Sequence, residues 1–254
     1  MSSISTEVNP LPILAGVLTS PRETFKATLR TPSWLAPIII AILIGMIGNA
    51  FYYWRVNPDW EHRVRSRMEQ HRVTTGQAMS PDQIAQQVAT ARMFGRFFIV
   101  IPAISIPLFC IVVAVLYWLT FGLTFLGAPP FKTFLSVVAW SKACMSAVGV
   151  PMLIIVLLAI DSEELERIGL ENSKLVQSNL SALLPAGISP AIKSLASSLD
   201  LFTIWFLVLL TIGFASVVGL GPKRISTWKT AALVFSVWGA WAGINATLAL
   251  IFGF

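Results

Sequence analysis

Five long apolar segments constrain the fold of this chain more than any other feature of its sequence. They span residues 34–54, 97–126, 134–160, 201–220 and 230–252. Each reaches the roughly 20 residues that an apolar helix needs to cross the hydrocarbon core of a bilayer. None shows the strict alternation of a membrane β-barrel strand, so helices are expected to satisfy the backbone polar groups in lipid. The sequence therefore predicts an all-α polytopic membrane protein with five transmembrane helices.

The composition agrees with that class and excludes a soluble globular protein. Hydrophobic residues make up 56% of the chain and charged residues only 12%, with a mean hydropathy of +0.76. A soluble domain carries about 25% charged residues. We expect residues 33–254 to form one membrane domain with polar loops at 55–96 and 161–199, preceded by an N-terminal interfacial segment at 1–32.

A short amphipathic helix is predicted ahead of the first span. Ser20, Pro21 and Glu23 match a capping box with proline in the first helical turn. Pro32 ends this helix, because the residue before a proline avoids helical backbone angles.

The predicted helix has a basic edge beside an apolar one. Arg22, Lys26 and Arg30 recur every four residues, and Phe25 and Leu29 lie beside them. Such a helix can lie in the headgroup layer of a membrane with its basic side chains reaching outward. We interpret it as a membrane-surface anchor, with recruitment of a partner or of anionic lipid as the alternative.

A second capped helix is predicted at the end of the first polar loop. Ser80 is its N-cap, Pro81 its first helical residue, and Gln83 can reach back to the cap. We expect this helix to continue directly into the second span, where Pro102 and Pro107 introduce kinks.

The distribution of basic residues bears on the orientation. The two sides of the membrane receive similar numbers, but the two shortest loops, 128–133 and 221–229, contain Lys or Arg and no acid. Short basic loops favour the cytoplasmic side. We therefore expect a cell (inner or plasma) membrane protein with a cytoplasmic N-terminus and, after five spans, a C-terminus on the opposite side.

Three segments resemble prokaryotic members of the Ypt-interacting-protein family, which share a YIP-type domain. They are "SPRETF…TPSWLAPI" at 20–38, "FKTFLSVVAWS" at 131–141 and "LDLFTIWFLVLLTIGFASVVGL" at 199–220. The last is the most recognisable, with Asp200, Phe202, Trp205 and Gly213 in the expected places. The segments occur in the family's order over nearly the whole chain, and the family also has five spans.

The resemblance implies a membrane protein whose prokaryotic relatives mostly have no assigned activity. Eukaryotic members bind lipidated Rab-type GTPases in vesicle traffic and keep their N-terminus in the cytoplasm. The sequence shows no counterpart of their tyrosine- and leucine-rich patch ahead of the spans. Rab binding is therefore not expected to carry over.

The sequence contains no recognisable catalytic or metal-binding constellation. His62 and His71 are nine residues apart, are not on one helical face and have no partner at metal-ligand spacing. Cys110 and Cys144 both lie inside predicted spans, where cysteine behaves as a small apolar residue. No nucleophile elbow, zinc-protease motif or phosphate loop is present. We expect no enzyme activity, no cofactor and no nucleic-acid partner.

Four polar residues within or at the spans are candidate functional groups. Lys142 is the strongest candidate, because placing a charged side chain in hydrocarbon costs free energy and such residues are usually functional. It can snorkel to the cytoplasmic face, face a wet groove or pair with an acid. Asp200 is expected near the N-cap of the fourth helix. Asn49 and Asn245 can form hydrogen bonds between helices.

Small residues suggest close packing of the last two spans. Gly239 and Gly243 form a strict small-xxx-small pair, and in the fourth span Ala215 and Gly219 are similarly spaced with Gly213 nearby. Such faces let two helix backbones approach closely. The contact can lie inside the monomer or between two copies of the chain.

Two functional hypotheses follow from these features. The first is a non-enzymatic membrane scaffold or adaptor that binds lipids, an unidentified protein partner or itself, in membrane organisation or trafficking-like processes. The alternative is a small transporter, channel or lipid-handling protein that uses the kinked helices around Lys142. The sequence shows no internal repeat of the kind that many carriers have.

Overall fold

The structure is a computed structural model that describes most of the chain. The described residues are 9–56, 60–61, 64–65, 68, 80–125, 129–161, 165, 179–185, 188–218 and 225–252. Their regular structure is helical, which confirms the all-α prediction.

Nine α-helices and one short 3-10 turn (Leu180–Leu183) are described from end to end, and residues 60–61, 64–65, 68 and 165 are helical as well. The helices are α1 Pro10–Thr19, α2 Pro21–Thr28, α3 Leu35–Val56, α4 Pro81–Phe97, α5 Ile101–Phe125, α6 Phe131–Ala159, α7 Pro190–Ser198, α8 Leu201–Val218 and α9 Thr227–Phe252. Four of them, α3, α5, α6 and α9, are long and apolar enough to cross a membrane, and α8 is a shorter apolar helix. Each predicted span thus corresponds to one helix, but only four reach full spanning length within the described residues.

The chain divides into two compact units. The large unit comprises Met1–Ile42, Ile106–Gly149 and Gln177–Phe254, and the small unit comprises Leu43–Ser105 and Val150–Val176. The divisions fall inside α3, α5 and α6.

The first half of α6 is the centre of the large unit. Residues 133–141 and 143–146 are all buried, so this stretch is covered on every side. A helix that is apolar and buried all round belongs in a core. Aromatic rings fill the space beside it, and the Phe214 ring lies 5.0 Å from that of Phe134 and 5.5 Å from that of Phe121.

The apolar edge of α2 packs against protein. Phe25 is 1% exposed and Leu29 is 5% exposed, and α2 contacts α8. The basic residues of the same segment, Arg22, Lys26 and Arg30, are exposed. The sequence pattern correctly separates an apolar from a basic edge, but the apolar edge meets the helix bundle of its own unit.

The capping box predicted at Ser20 is wrong. The Ser20 N–H donates to the Gly16 carbonyl at 2.8 Å and ends α1, while its side chain makes no cap hydrogen bond to α2. One residue closes α1 and opens α2, so its backbone (φ −143°, ψ 60°) does not adopt the extended cap conformation. Glu23 instead pairs with Lys26 at 3.3 Å.

The capping box predicted at Ser80 is confirmed. The Gln83 N–H donates to Ser80 Oγ at 3.3 Å, and the Ser80 N–H donates to Gln83 Oε1 at 2.9 Å. Ser80 has extended backbone angles and serves only α4, which leaves its hydroxyl free to cap.

The prediction that this helix continues directly into the second span is also wrong. The helix α4 ends at Phe97, a turn occupies 98–100, and α5 begins at Ile101. Pro102 has no N–H to donate to the Phe98 carbonyl four residues earlier, so the ladder of hydrogen bonds is interrupted there. The freed Phe98 carbonyl accepts a hydrogen bond from Asn49 Nδ2 at 2.7 Å.

Long-range contacts also hold other parts of the small unit. Arg55 Nη2 donates to the Ile160 carbonyl at 2.8 Å, just past the end of α6. A cation is favourable at a helix C-terminus because the last carbonyls lack partners and carry partial negative charge. Tyr52 is fully buried, and its ring lies 5.9 Å from that of Phe98.

Candidate functional site

Lys142 lies in the first half of α6, between two runs of buried residues. It is about 16 Å along α6 from Phe131, at 1.5 Å of rise per residue. Lys142 is partly exposed, whereas Ser141 before it and Ala143 after it are buried. The first half of α6 therefore carries one charged, partly exposed side chain among buried neighbours.

The ammonium group of Lys142 lies over an aromatic ring of α5. Its Nζ atom is 5.6 Å from the centroid of the Phe109 ring, which is cation–π geometry. Phe109 is 41% exposed, and its ring lies 5.8 Å from that of Phe206 on α8. The buried Cys110 thiol is an electrostatic neighbour of the same amine. Lys142 thus lies where α5 and α8 flank α6.

Within the described residues, no carboxylate pairs with Lys142. The ion pairs found there, Lys26–Glu23 and Arg65–Glu61, are both local and exposed. Asp200, at the start of α8, instead accepts hydrogen bonds at Oδ2 from the Thr203 N–H at 3.1 Å and hydroxyl at 3.3 Å. This is N-cap geometry, and no ion pair joins Asp200 to Lys142 among the described residues.

Two further polar groups precede Lys142 on α6. Trp140 Nε1 and Ser141 Oγ are buried and have no hydrogen-bond partner in the described part of the chain. Successive helix residues point about 100° apart, since a turn takes 3.6 residues. These two groups therefore face the interior in other directions and do not share the surroundings of Lys142. No sequence pattern marks Trp140 or Ser141 as a buried polar group without a partner.

The two candidate asparagines have different roles. Asn49 connects α3 to the Phe98 carbonyl, whereas Asn245 Nδ2 donates to the Trp241 carbonyl of its own helix at 2.9 Å. The prediction of a hydrogen bond between helices is therefore wrong for Asn245 within the described residues. Asn245 is partly exposed and uses its amide within α9.

The candidate packing glycines also differ. A Cβ atom at Gly213 would meet Val137 and would lie 3.4 Å from the Phe25 ring. At Gly239 and Gly243 a Cβ atom would meet nothing within 4 Å. Gly219 lies outside the described residues.

Exposed apolar and basic side chains alternate along the end of α4. Arg92 and Arg96 are exposed, and together with the exposed Met93, Phe97 and Val100 they line a shallow groove. The sequence indicated the arginine content of this loop but not the groove. A surface of this kind resembles that of interfacial helices.

The expectation that the chain has no metal site stays a prediction. No group of three or more His, Cys, Asp or Glu residues comes together among the described positions. His62 and His71 lie outside the described residues. Cys110 and Cys144 are free and buried, as expected for small apolar residues of a span.

Comparisons with known proteins agree with this architecture. The Yip1 domain matches residues 15–244. The chain is also similar to the membrane protein YknW of Bacillus subtilis (strain 168), with 25% identity over 226 residues, 89% of this chain and 86% of that protein. No solved structure matches the chain. A family match over this length, on a bundle of apolar helices, shows that the chain belongs to the Yip1 domain family of membrane proteins.

Proposed function

We propose that this protein is a non-enzymatic membrane adaptor or scaffold that binds protein partners and lipids. It acts in membrane organisation or in processes that resemble trafficking. The observation that carries the proposal is the position of Lys142: a charged side chain, about 16 Å into a span, beside a partly exposed ring at the side of its unit.

Other charged residues of the described spanning helices lie close to a helix end. They are Arg55, Lys132 and Lys229. Only Lys142 is far from an end, and intramembrane charge marks a functional position by default. A group at the side of the unit is available to a molecule that arrives laterally through the membrane, which is how a membrane adaptor meets its partners.

The transport alternative has less support in the large unit. Its interior is filled by fully buried aromatic side chains such as Trp140, Phe121 and Phe134. Proton and ion pathways use a series of ionisable groups across the membrane. Lys142 is the one Lys, Arg, Asp, Glu or His residue away from the ends of the described spans, and it lies beside the aromatic core.

Two measurements on the purified protein and on native membranes test the adaptor proposal. In liposomes, wild type and Lys142→Met should both give the lipid and solute flux of protein-free vesicles. In mildly solubilised native membranes, wild type should migrate as a complex larger than its 27.7 kDa chain. Lys132→Met, which removes an exposed lysine of the same helix, is the matched control. Flux that is lost only in Lys142→Met would establish transport and overturn the proposal.

The exposed basic edge of α2 is our proposed lipid contact. Arg22, Lys26 and Arg30 are exposed while the apolar edge of the helix is held by protein. Each basic residue near an anionic surface contributes about 1 kcal/mol. Changing all three to Gln should lower the anionic lipid retained on purification, whereas changing Arg92 and Arg96 should test the groove on α4 separately. If the triple variant retains as much anionic lipid as wild type, α2 is not the lipid contact.

Self-association through α9 is the second interaction that we propose. Gly239 and Gly243 meet no other side chain, so a second helix can approach this backbone closely. Energy transfer between two labelled copies in bilayers tests this contact.

The proposed orientation places the N-terminus in the cytoplasm and the C-terminus on the opposite side of the cell membrane. It rests on the two short basic loops and on an odd number of spans. Reporter fusions after Phe254 test it, since a cytoplasmic reporter would mean that the span number or the side is wrong.

A further inference from the structure

We infer that Lys142 binds a carboxylate on a transmembrane helix of a different protein. This inference rests on the proposed adaptor function and specifies the chemistry of the partner. It follows from the surroundings of the ammonium group, from the distribution of acidic residues in the whole sequence and from the depth of Lys142 along its helix.

Among the described residues of its unit, the ammonium group has no counter-charge. Around it the structure has the Phe109 ring at 5.6 Å and the Cys110 thiol, and no carboxylate of the described residues pairs with it. A cation–π contact compensates only part of the desolvation of a cation in hydrocarbon. The site is therefore complete only when an anion joins it.

A second copy of the chain has no acid at this depth. The sequence contains 12 Asp and Glu residues, and all lie outside the spanning helices. Eleven fall in 1–32, 55–96 and 161–199, and the twelfth, Asp200, precedes α8. The counter-charge must therefore come from another kind of molecule.

The depth of Lys142 favours a helix over a lipid headgroup. The hydrocarbon core is roughly 30 Å thick, so a position about 16 Å along α6 from Phe131 is near its middle. Headgroup phosphates and fatty-acid carboxylates lie at the boundary. A spanning helix can present a side chain at any depth, including this one.

The surface beside Lys142 suits such a helix. From Phe109, exposed apolar side chains continue along the same face of α5 at Val112 (55% exposed) and Leu116 (44%). Residues three and seven positions apart share a helical face. A partner helix can pack its apolar side along this face while its carboxylate reaches the ammonium group.

The test uses a defined peptide in place of the natural partner. The purified full chain, labelled with a donor fluorophore, is placed in phosphatidylcholine bilayers with an acceptor-labelled polyleucine peptide of about 20 residues. One peptide carries a central Glu and its matched control a central Gln. We expect the Glu peptide to associate with wild type about tenfold more strongly than the Gln peptide.

Variants assign that preference to one side chain. Lys142→Met should abolish it, whereas Lys142→Arg and the control Lys132→Met should retain it. Monodisperse elution and unchanged helicity establish that each variant is folded. If Lys142→Met does not fold, the inference is still tested by comparing how strongly the Glu and Gln peptides bind to wild type, because that comparison needs no variant.

Three results of the peptide experiment would overturn the inference. They are equal binding of the two peptides, a Glu preference that survives in Lys142→Met, and displacement of the Glu peptide by phosphatidylglycerol or oleate, which would make the occupant a lipid anion. The proposed function has a separate test. It is contradicted if wild type forms no complex in mildly solubilised native membranes. The inference alone fails if that complex persists unchanged in Lys142→Met.

Discussion

The helices α8 and α9 both carry closely spaced small residues, but these residues have different surroundings in the two helices. Gly213 on α8 meets Val137 and the Phe25 ring, whereas Gly239 and Gly243 on α9 meet nothing within 4 Å. The spacing of small residues therefore predicts that a backbone can be approached closely. It does not predict what approaches it.

The asparagines repeat the same contrast. Asn49 completes the hydrogen bonding of a carbonyl that Pro102 leaves without a donor, while Asn245 on α9 bonds to its own helix. The same residue type thus makes a long-range hydrogen bond in one region and a local one in the other. Four predictions test this contrast, in order of decreasing effect.

The largest effect is expected for Phe25→Ala. The Phe25 ring is 1% exposed and lies in the space that Gly213 leaves, so removing it should lower the free energy of unfolding in detergent micelles by about 3–5 kcal/mol. Phe94→Ala is the control, because Phe94 is 62% exposed on α4 and should change it by less than about 0.5 kcal/mol. Equal losses in the two variants would mean that Phe25 does not pack as described.

Gly213→Ala should destabilise by about 1–3 kcal/mol, because the new methyl group meets the short, rotationally restricted Val137 side chain. Gly239→Ala should be neutral or stabilise by up to about 1 kcal/mol, since alanine is the better helix former and meets no neighbour. Thermal unfolding in the same detergent measures both. Changes of opposite sign in thermal stability would support the different surroundings of the two glycines. An equal loss of stability in Gly239→Ala would contradict them.

Asn49→Ala should cost about 1–3 kcal/mol, because the Phe98 carbonyl would be left without a donor in a partly buried setting. The matched change Asn245→Ala removes a hydrogen bond within one helix and should cost about 0.5 kcal/mol or less. Denaturant unfolding of the two variants provides the comparison. A larger loss for Asn245 would contradict the assigned roles.

The smallest loss of stability is expected for the double change Gly239→Leu and Gly243→Leu. The free energy of unfolding of the monomer should not fall, since both positions face open space and leucine is a better helix former than glycine. Association of two labelled copies in bilayers, measured by energy transfer, should fall if α9 is the contact between copies. Unchanged association would assign the contact to another face.

Much of the fold is predictable because it depends on local chemistry. The third apolar segment, 134–160, became α6 (Phe131–Ala159), and the fifth, 230–252, became α9 (Thr227–Phe252). The Ser80 cap was predictable for the same reason: its hydroxyl, its extended backbone and Gln83 all lie within four residues. The Ser20 cap was not, because α1 uses the same residue.

The sequence by itself determined the class of protein, the approximate limits of its helices and the isolation of Lys142 among apolar residues. The tertiary structure alone decided that Phe25 fills the space beside Gly213, that Asn49 compensates for Pro102 and that Phe109 lies opposite Lys142. The physical reason lies in the solvent. Lipid tails are as apolar as leucine, so a spanning helix is apolar on every side and its hydropathy does not mark the face that meets protein. That information resides in shape and in hydrogen bonds between residues far apart in the chain.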